Sequence, residues 1–305
     1  MPPVETPGSP TEHRGTSVVL EGLGFPEGMR WRNAELYFSD MADDRVVKVA
    51  DDGTVVTVAE IPRPSGIGWF PDGSLVVVSM TERTLHVLGA DGTVHVIDLR
   101  PAASSSPNDM VISDSGVAYI GLVGVDIAQA PRLDAGASID VVLGRTDRPK
   151  APLLNVRDGN AAVEVDDMAC ANGAVITPNG RTFIVAETNA SRLAQFDIEP
   201  DHSLTNQRTF ADLGDHLPDG ICLDADGGVW AALVDANRFV RVVDGGTVTD
   251  VVHVPEFPMA CTLGGPEGRT LFMATSSVMG VAGARAARSG MIRSIEVTHP
   301  GPGIG

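Results

Sequence analysis

Six short segments of the chain repeat one arrangement, a triplet followed by an apolar run. The middle residues of the triplets are Glu27, Ser65, Asn108, Asn172, Asp219 and Cys261. Four of the six offer a carboxylate or an amide oxygen. Two carboxylates brought together away from water are costly, because burial and the neighbouring charge both disfavour ionisation. A bound cation removes that cost. Carboxylate and amide oxygens are hard ligands, and with waters they suit Ca²⁺, Mg²⁺ or Mn²⁺; Zn²⁺ is less natural without His or Cys. Asn and Asp before Gly also form ordinary turns. Turn chemistry gives no reason, however, for Glu27 to share their place.

These residues meet only if their segments are equivalent parts of a ring. The segments read PEGMRWRNAELYFSD (26–40), PSGIGWFPDGSLVVVSM (64–80), PNDMVISDSGVAYIGL (107–122), ANGAVITPNGRTFIVAET (171–188), PDGICLDADGGVWAAL (218–233) and ACTLGGPEGRTLFMATS (260–276). Each is a short strand, a turn built on Gly, Asp or Asn, and a second strand, the pattern of successive hairpins. The steps between the middle residues are 38, 43, 64, 47 and 42. Four of the five match a four-stranded propeller blade of about 40–50 residues. The long step places an insertion at roughly 126–166. The expectation is an all-β, six-bladed β-propeller. A ring left open would expose two sheet edges. The N-terminal strand at 16–23 is therefore expected to pair with the last blade around 291–297. Residues 16–297 then form one domain, with a loose tail at 1–15 and a second tail at 298–305. Helical periodicity is nearly absent; residues 281–290 suit a short helix or a loop equally.

Charge narrows the partners. Lys plus Arg number 22 and Asp plus Glu 40, a net charge of −18. So acidic a chain, with no basic run, is ill suited to nucleic acid or an anionic membrane, both polyanions. The three cysteines are widely spaced with no CxxC, so neither a disulfide scaffold nor a structural zinc site is expected. That usage and an N-terminus without an apolar core segment point to the cytoplasm. No apolar run is long enough for a membrane-spanning helix. No G-x-S-x-G supports a serine nucleophile, and GLVGVD lacks the helix of a dinucleotide fingerprint.

The stretches GFPEGMRW, SSPNDMVISDSG, ANGAVITPNGRTFIVAET, FADLGDHLPDGICLDADGGVWAAL and CTLGGPEGRTLFMAT resemble the SMP-30/gluconolactonase (regucalcin-like) family in motif, order and spacing over about 20–280. The resemblance implies a six-bladed propeller with one divalent metal ion, Ca²⁺ foremost, held by Glu27, Asn172 and Asp219. It places Asn108 beside the metal, in contact with substrate or metal-bound water. The implied activity is hydrolysis of a small-molecule lactone or related ester, with Asp219 doubling as the base and Asn108 assisting. Related propellers use such a metal for lyase, cyclase or phosphotriesterase chemistry, which is a second reading. A non-catalytic scaffold would have no need of an acid and amide column.

The chain also departs from the family's sugar-lactonase pattern. Where that pattern has an Arg for substrate hydroxyls, two residues before Asn108, this chain has Ser106. Leu122 and Val123 replace smaller or more polar residues, and Phe25, Met168, Phe257 and Met259 flank the motifs. A sugar needs many polar partners and this rim offers few. The expected substrate is therefore less polar than a sugar lactone, with sugar lactone as the alternative. Ser106, Leu122, Met168, Met259 and Asn108 are its expected contacts. His216, three residues before Asp219, is counted with these contacts, as a rim proton shuttle or else an ordinary surface histidine.

Overall fold

The computed structural model describes residues 9–50, 53–127 and 150–303. Six sheets are arranged as blades, each a run of antiparallel strands ordered from the axis outward. The inner strands are Pro26–Arg32, Pro64–Trp69, Pro107–Ile112, Ala171–Ile176, Pro218–Leu223 and Phe257–Gly264, in blades 1 to 6. Each packs against the inner strands of its two neighbours, and blade 6 returns to blade 1. Ser17–Leu23 pairs antiparallel with Gly290–Glu296 and supplies the outermost strand of blade 6, so the ring closes as the sequence predicts.

The turn signals work as their chemistry requires. In the Pro-Asp-Gly turn of blade 2, Asp72 Oδ1 accepts the Ser74 N–H at 2.9 Å, and Gly73 sits at φ 88° where a Cβ would be strained. The alternating apolar faces of the strands meet between blades. Tyr119, Phe183 and Phe196 fill the seam of blades 3 and 4, and Trp230, Phe239 and Met273 that of blades 5 and 6. Each such side chain contributes roughly 1.5–3 kcal/mol on burial.

Two details differ from expectation, and two further segments are defined by the structure. Thr11–His13 is not loose; it adds a parallel strand to the outer edge of blade 5, with His13 Nε2 3.0 Å from Asp250 Oδ1. An unpaired sheet edge offers ready partners for an extended tail. The insertion is 123–150 rather than 126–166, because Ala151–Arg157 and Asn160–Met168 are the outer strands of blade 3. Residues 128–149 of it lie outside the described residues. Residues 281–287 settle as a helix, Val281–Ala287. The C-terminal segment packs on the turns of blades 5 and 6, through Ala225 N–H to Pro300 O and Gly301 N–H to Gly268 O, both 2.8 Å.

Candidate functional site

Every inner strand breaks its ladder near its start. The register shifts fall between Glu27 and Arg30, Pro64 and Ile67, Pro107 and Met110, Ala171 and Ala174, Pro218 and Ile221, and Pro258 and Ala260. Such a bulge re-aims the side chain it carries. Small residues beside the bulge make room for the next blade. A Cβ on Gly28 would lie 2.4 Å from Ser65 O, and one on Gly220 2.6 Å from Ala260 Cα. The recurring x-Gly of the motifs is thus a close-approach requirement at the narrow centre of the ring.

The bulges also correct the sixth member of the column. The residue after Pro258 corresponds to the residue after Pro26, Pro64, Pro107 and Pro218, and it is Met259, not Cys261. Cys261 instead lies in the seam of blades 5 and 6, its Sγ 3.6 Å from Cys222 Sγ. The column is therefore Glu27, Ser65, Asn108, Asn172, Asp219 and Met259.

Within it the polar groups support one another. Ser65 Oγ donates to Asn108 Oδ1 at 3.1 Å. Asn172 Nδ2 donates to Thr188 Oγ1 at 3.3 Å, and that hydroxyl donates to Pro218 O at 2.7 Å. The carboxylates are under stress. Burial, then the nearby Asp219 and Asp109, push the Glu27 carboxyl well above its usual range. Burial, then Asp109, raise Asp219 to about 8, against a lowering hydrogen bond from Asn172. Sequence reading missed Asp109. It stands where blades 1, 2, 4 and 5 have glycine, a departure that could have flagged it. Its counter-charge is Arg30 of blade 1, 3.3 Å away, which also donates to Met29 O at 2.8 Å and to Met110 O. Arg30 lowers Glu27 only as the last of its influences.

Among the described residues no group of three or more His, Cys, Asp or Glu side chains forms a metal cradle. The donor set here is two stressed carboxylates, Glu27 and Asp219, with the amides of Asn172 and Asn108. That set fits a hard divalent cation, whose charge would relieve the repulsion.

The expected substrate contacts divide. Met259 belongs to the column. His216 lies at the rim, in the loop that leads to Asp219, with Nε2 2.7 Å from an Arg238 N–H and Nδ1 3.5 Å from Asp235 Oδ2. Since arginine only donates, Nε2 accepts here and is engaged rather than free. Leu122 is fully buried in the apolar cluster with Phe25, Met41, Leu217 and Met259. Two more, like Leu122, are withdrawn from the surface. Ser106 is fully buried, its hydroxyl accepting the Ile127 N–H at 3.1 Å, so it pins the base of the insertion. Met168 is also fully buried, packed with Tyr119, Leu153 and Phe183 between blades 3 and 4. Val123, Ile127, Phe257, Val278 and Met279 are half-buried on the loops and strand ends of the site face.

Comparison with known proteins agrees with this architecture. Residues 25–277 match the model of the SMP-30/Gluconolactonase/LRE-like region. An L-arabinolactonase of Azospirillum brasilense is 28% identical over 255 residues, covering 80% of this chain and 78% of its own. A luciferin-regenerating enzyme superposes with a TM-score of 0.75 at 19% identity, covering 95% of this chain and 99% of its own. A calcium-binding regucalcin of Agrobacterium tumefaciens superposes with a TM-score of 0.74 at 17% identity, covering 95% of this chain and 97% of its own. With its six bladed sheets and its motifs in family order, the chain belongs to the SMP-30/gluconolactonase/LRE-like family of propellers.

Proposed function

We propose that the protein opens lactones, or related esters, by hydrolysis at a divalent cation held by Glu27, Asn172 and Asp219. The observation that carries this reading is the pair of stressed carboxylates, Glu27 and Asp219, beside Asn172 on the axis. The L-arabinolactonase relative supports the reaction class, and the calcium-binding regucalcin neighbour supports Ca²⁺ first. A cation so held supplies Lewis acidity towards an ester carbonyl.

The chain's own residues do the rest. Ionised Asp219 accepts a proton from the attacking water at its carboxylate. Asn108 accepts from Ser65 at its Oδ1 and donates from its amide nitrogen to the carbonyl oxygen as charge develops there. Water adds to the acyl carbon, the ring C–O bond breaks, Asp219 returns its proton to the departing ring oxygen, and the product is a hydroxy acid. The half-buried apolar residues of the site face favour a lactone less polar than a sugar. A second reading, a sugar lactone, is favoured by the L-arabinolactonase relative.

A panel of matched sugar, aliphatic and aromatic lactones, assayed with and without EDTA, separates these readings. The first predicts higher kcat/KM on the apolar lactones. A preference for arabinono- or gluconolactone would establish the second. No turnover of any lactone with Ca²⁺ present would sink both.

A further inference from the structure

Two of the blades share a feature that no strand needs for its own stability. Opposite the first residue of the inner strand, the second strand of blade 1 ends in Asp40 and that of blade 4 in Glu187. Both carboxylates are buried, at 0% and 1% exposure. The matched positions, opposite the residue before the column residue, are Ser79, Leu122, Leu233 and Thr275 in blades 2, 3, 5 and 6.

The two carboxylates do the same thing. Asp40 accepts the Phe25 N–H at 2.8 Å and the Gly24 N–H at 3.3 Å, two and three residues before Glu27. Glu187 accepts the Ala169 N–H at 3.0 Å, three residues before Asn172. Each is followed by a 3₁₀ turn, Met41–Asp43 and Thr188–Ala190, ending in a left-handed residue, Asp44 and Ser191. Each turn is tied back at the same place: Met41 N–H to Phe25 O at 2.9 Å, and Thr188 N–H to Cys170 O at 3.1 Å. Five residues after each carboxylate comes an arginine that pairs with it, Arg45 at 3.0 Å and Arg192 at 2.6 Å. Blades 1 and 4 face each other across the ring and carry Glu27 and Asn172. In blade 5 Asp235, two residues past the matched position, takes the Leu217 N–H at 2.9 Å, two residues before Asp219.

We propose that Asp40 with Arg45, and Glu187 with Arg192, are positioning residues, a matched pair of clamps on opposed blades that preset the loops carrying Glu27 and Asn172 for cation binding. The inference rests on the metal reading above and adds the residues that hold its ligands. A buried carboxylate spends its desolvation only where it is paired and hydrogen-bonded, and both clamps meet that condition. Groups that orient ligands typically change metal affinity 10–100-fold when removed.

The test uses the full-length protein and Ca²⁺ alone as probe. Calorimetric titration gives the Ca²⁺ affinity, and hydrogen exchange of peptides spanning 24–28 and 169–172 is followed in EDTA. Glu187→Ala should lower Ca²⁺ affinity about tenfold or more and speed exchange in 169–172 without touching 24–28. Glu187→Gln keeps one acceptor oxygen and should fall between Glu187→Ala and wild type. Gly24→Ala makes the reciprocal change, because its Cβ would lie 2.7 Å from Asp40 Oδ1; it should loosen 24–28 alone. Asp98→Ala, at an exposed surface pair with Arg100, should alter neither readout. If Glu187→Ala does not fold, Arg192→Met takes its place with the same signs. A lowered melting temperature with unchanged Ca²⁺ affinity and unchanged exchange overturns the clamps. A wild type that binds no divalent cation overturns the metal reading instead, and the exchange pattern alone then decides the clamps.

Discussion

The sharpest consequence at the residue scale is electrostatic. Asp219 is raised to about 8 and Glu27 is raised with it, chiefly by burial. In the unfolded chain both titrate near 4. Between about pH 4 and pH 8 the cation-free folded state therefore holds more protons than the unfolded state, and its stability falls as pH rises. A calorimetric melting series in EDTA should show the melting temperature declining from pH 5 to pH 8. Asp219→Asn should flatten that decline and melt higher than wild type at pH 8, while losing the stabilisation that added Ca²⁺ gives wild type. A wild-type melting temperature that rises with pH in EDTA would contradict the assigned stress. Ser106 yields a different prediction. Restoring the pattern's Arg with Ser106→Arg would add a partner for sugar hydroxyls only if the side chain had room, and the Ser106 hydroxyl is fully buried against Ile127. Overpacking of that kind typically costs about 1–3 kcal/mol. Urea denaturation of Ser106→Arg should show such a loss, with no gain in kcat/KM on sugar lactones. Glu27, Asn172 and Asp219 were legible from sequence because a repeat turns residue type into place. Asp109 and Arg30 were not, since their pairing joins blade 1 to blade 3 and leaves no local spacing to read.

At the scale of the strand, the inner-strand bulge decides what points to the axis. Sequence alignment by the apolar run placed Cys261 in the column, two residues late. The Pro-Met-Ala of 258–260 carries the better signal, because proline immediately precedes the column residue in five of the six blades. The same geometry explains why glycine follows the column residue in blades 1, 2, 4 and 5. A Cβ on Gly173 would lie 2.5 Å from Ile221 N and 2.8 Å from Asp219 O, backbone atoms that cannot swing aside. Gly173→Ala should therefore push blade 5 outward, cost about 1–3 kcal/mol by urea denaturation, and weaken Ca²⁺ binding. Unaltered stability and affinity in that variant would mean the centre of the ring is looser than the bulges imply. Blade 3 shows the limit of counting. Its step of 64 was assigned an insertion to 166, yet LLNVRDGNAAVEV alternates and turns at Asp158-Gly159 as a hairpin should.

Over the whole molecule, ring closure was legible because edge chemistry demands it, and the strand at 16–23 had no other partner of the right length. The strap of Thr11–His13 on blade 5 was hidden, since three polar residues carry no strand pattern. Two histidine–carboxylate contacts hold it, His13 to Asp250 and Glu12 to His253. The exposed Glu12–His253 pair contributes about 0–1 kcal/mol, while the His13–Asp250 pair is partly buried. Removal of residues 1–14 should thus leave Ca²⁺ binding intact and lower the melting temperature by only a few degrees. Removal through Leu23 should abolish cooperative unfolding, because blade 6 loses its outermost strand. The six-bladed arrangement brings Glu27, Asn172 and Asp219, far apart in sequence, close to one another, as the proposed function requires. The most direct measurement is lactone hydrolysis by metal-stripped protein titrated with Ca²⁺, wild type beside Asp219→Asn. The predicted result is negligible turnover in EDTA and recovery at one equivalent of Ca²⁺ in wild type, with none in the variant. Full turnover of the stripped wild type, or recovery of Asp219→Asn by Ca²⁺, would contradict a cation on these three residues as the centre of the chemistry.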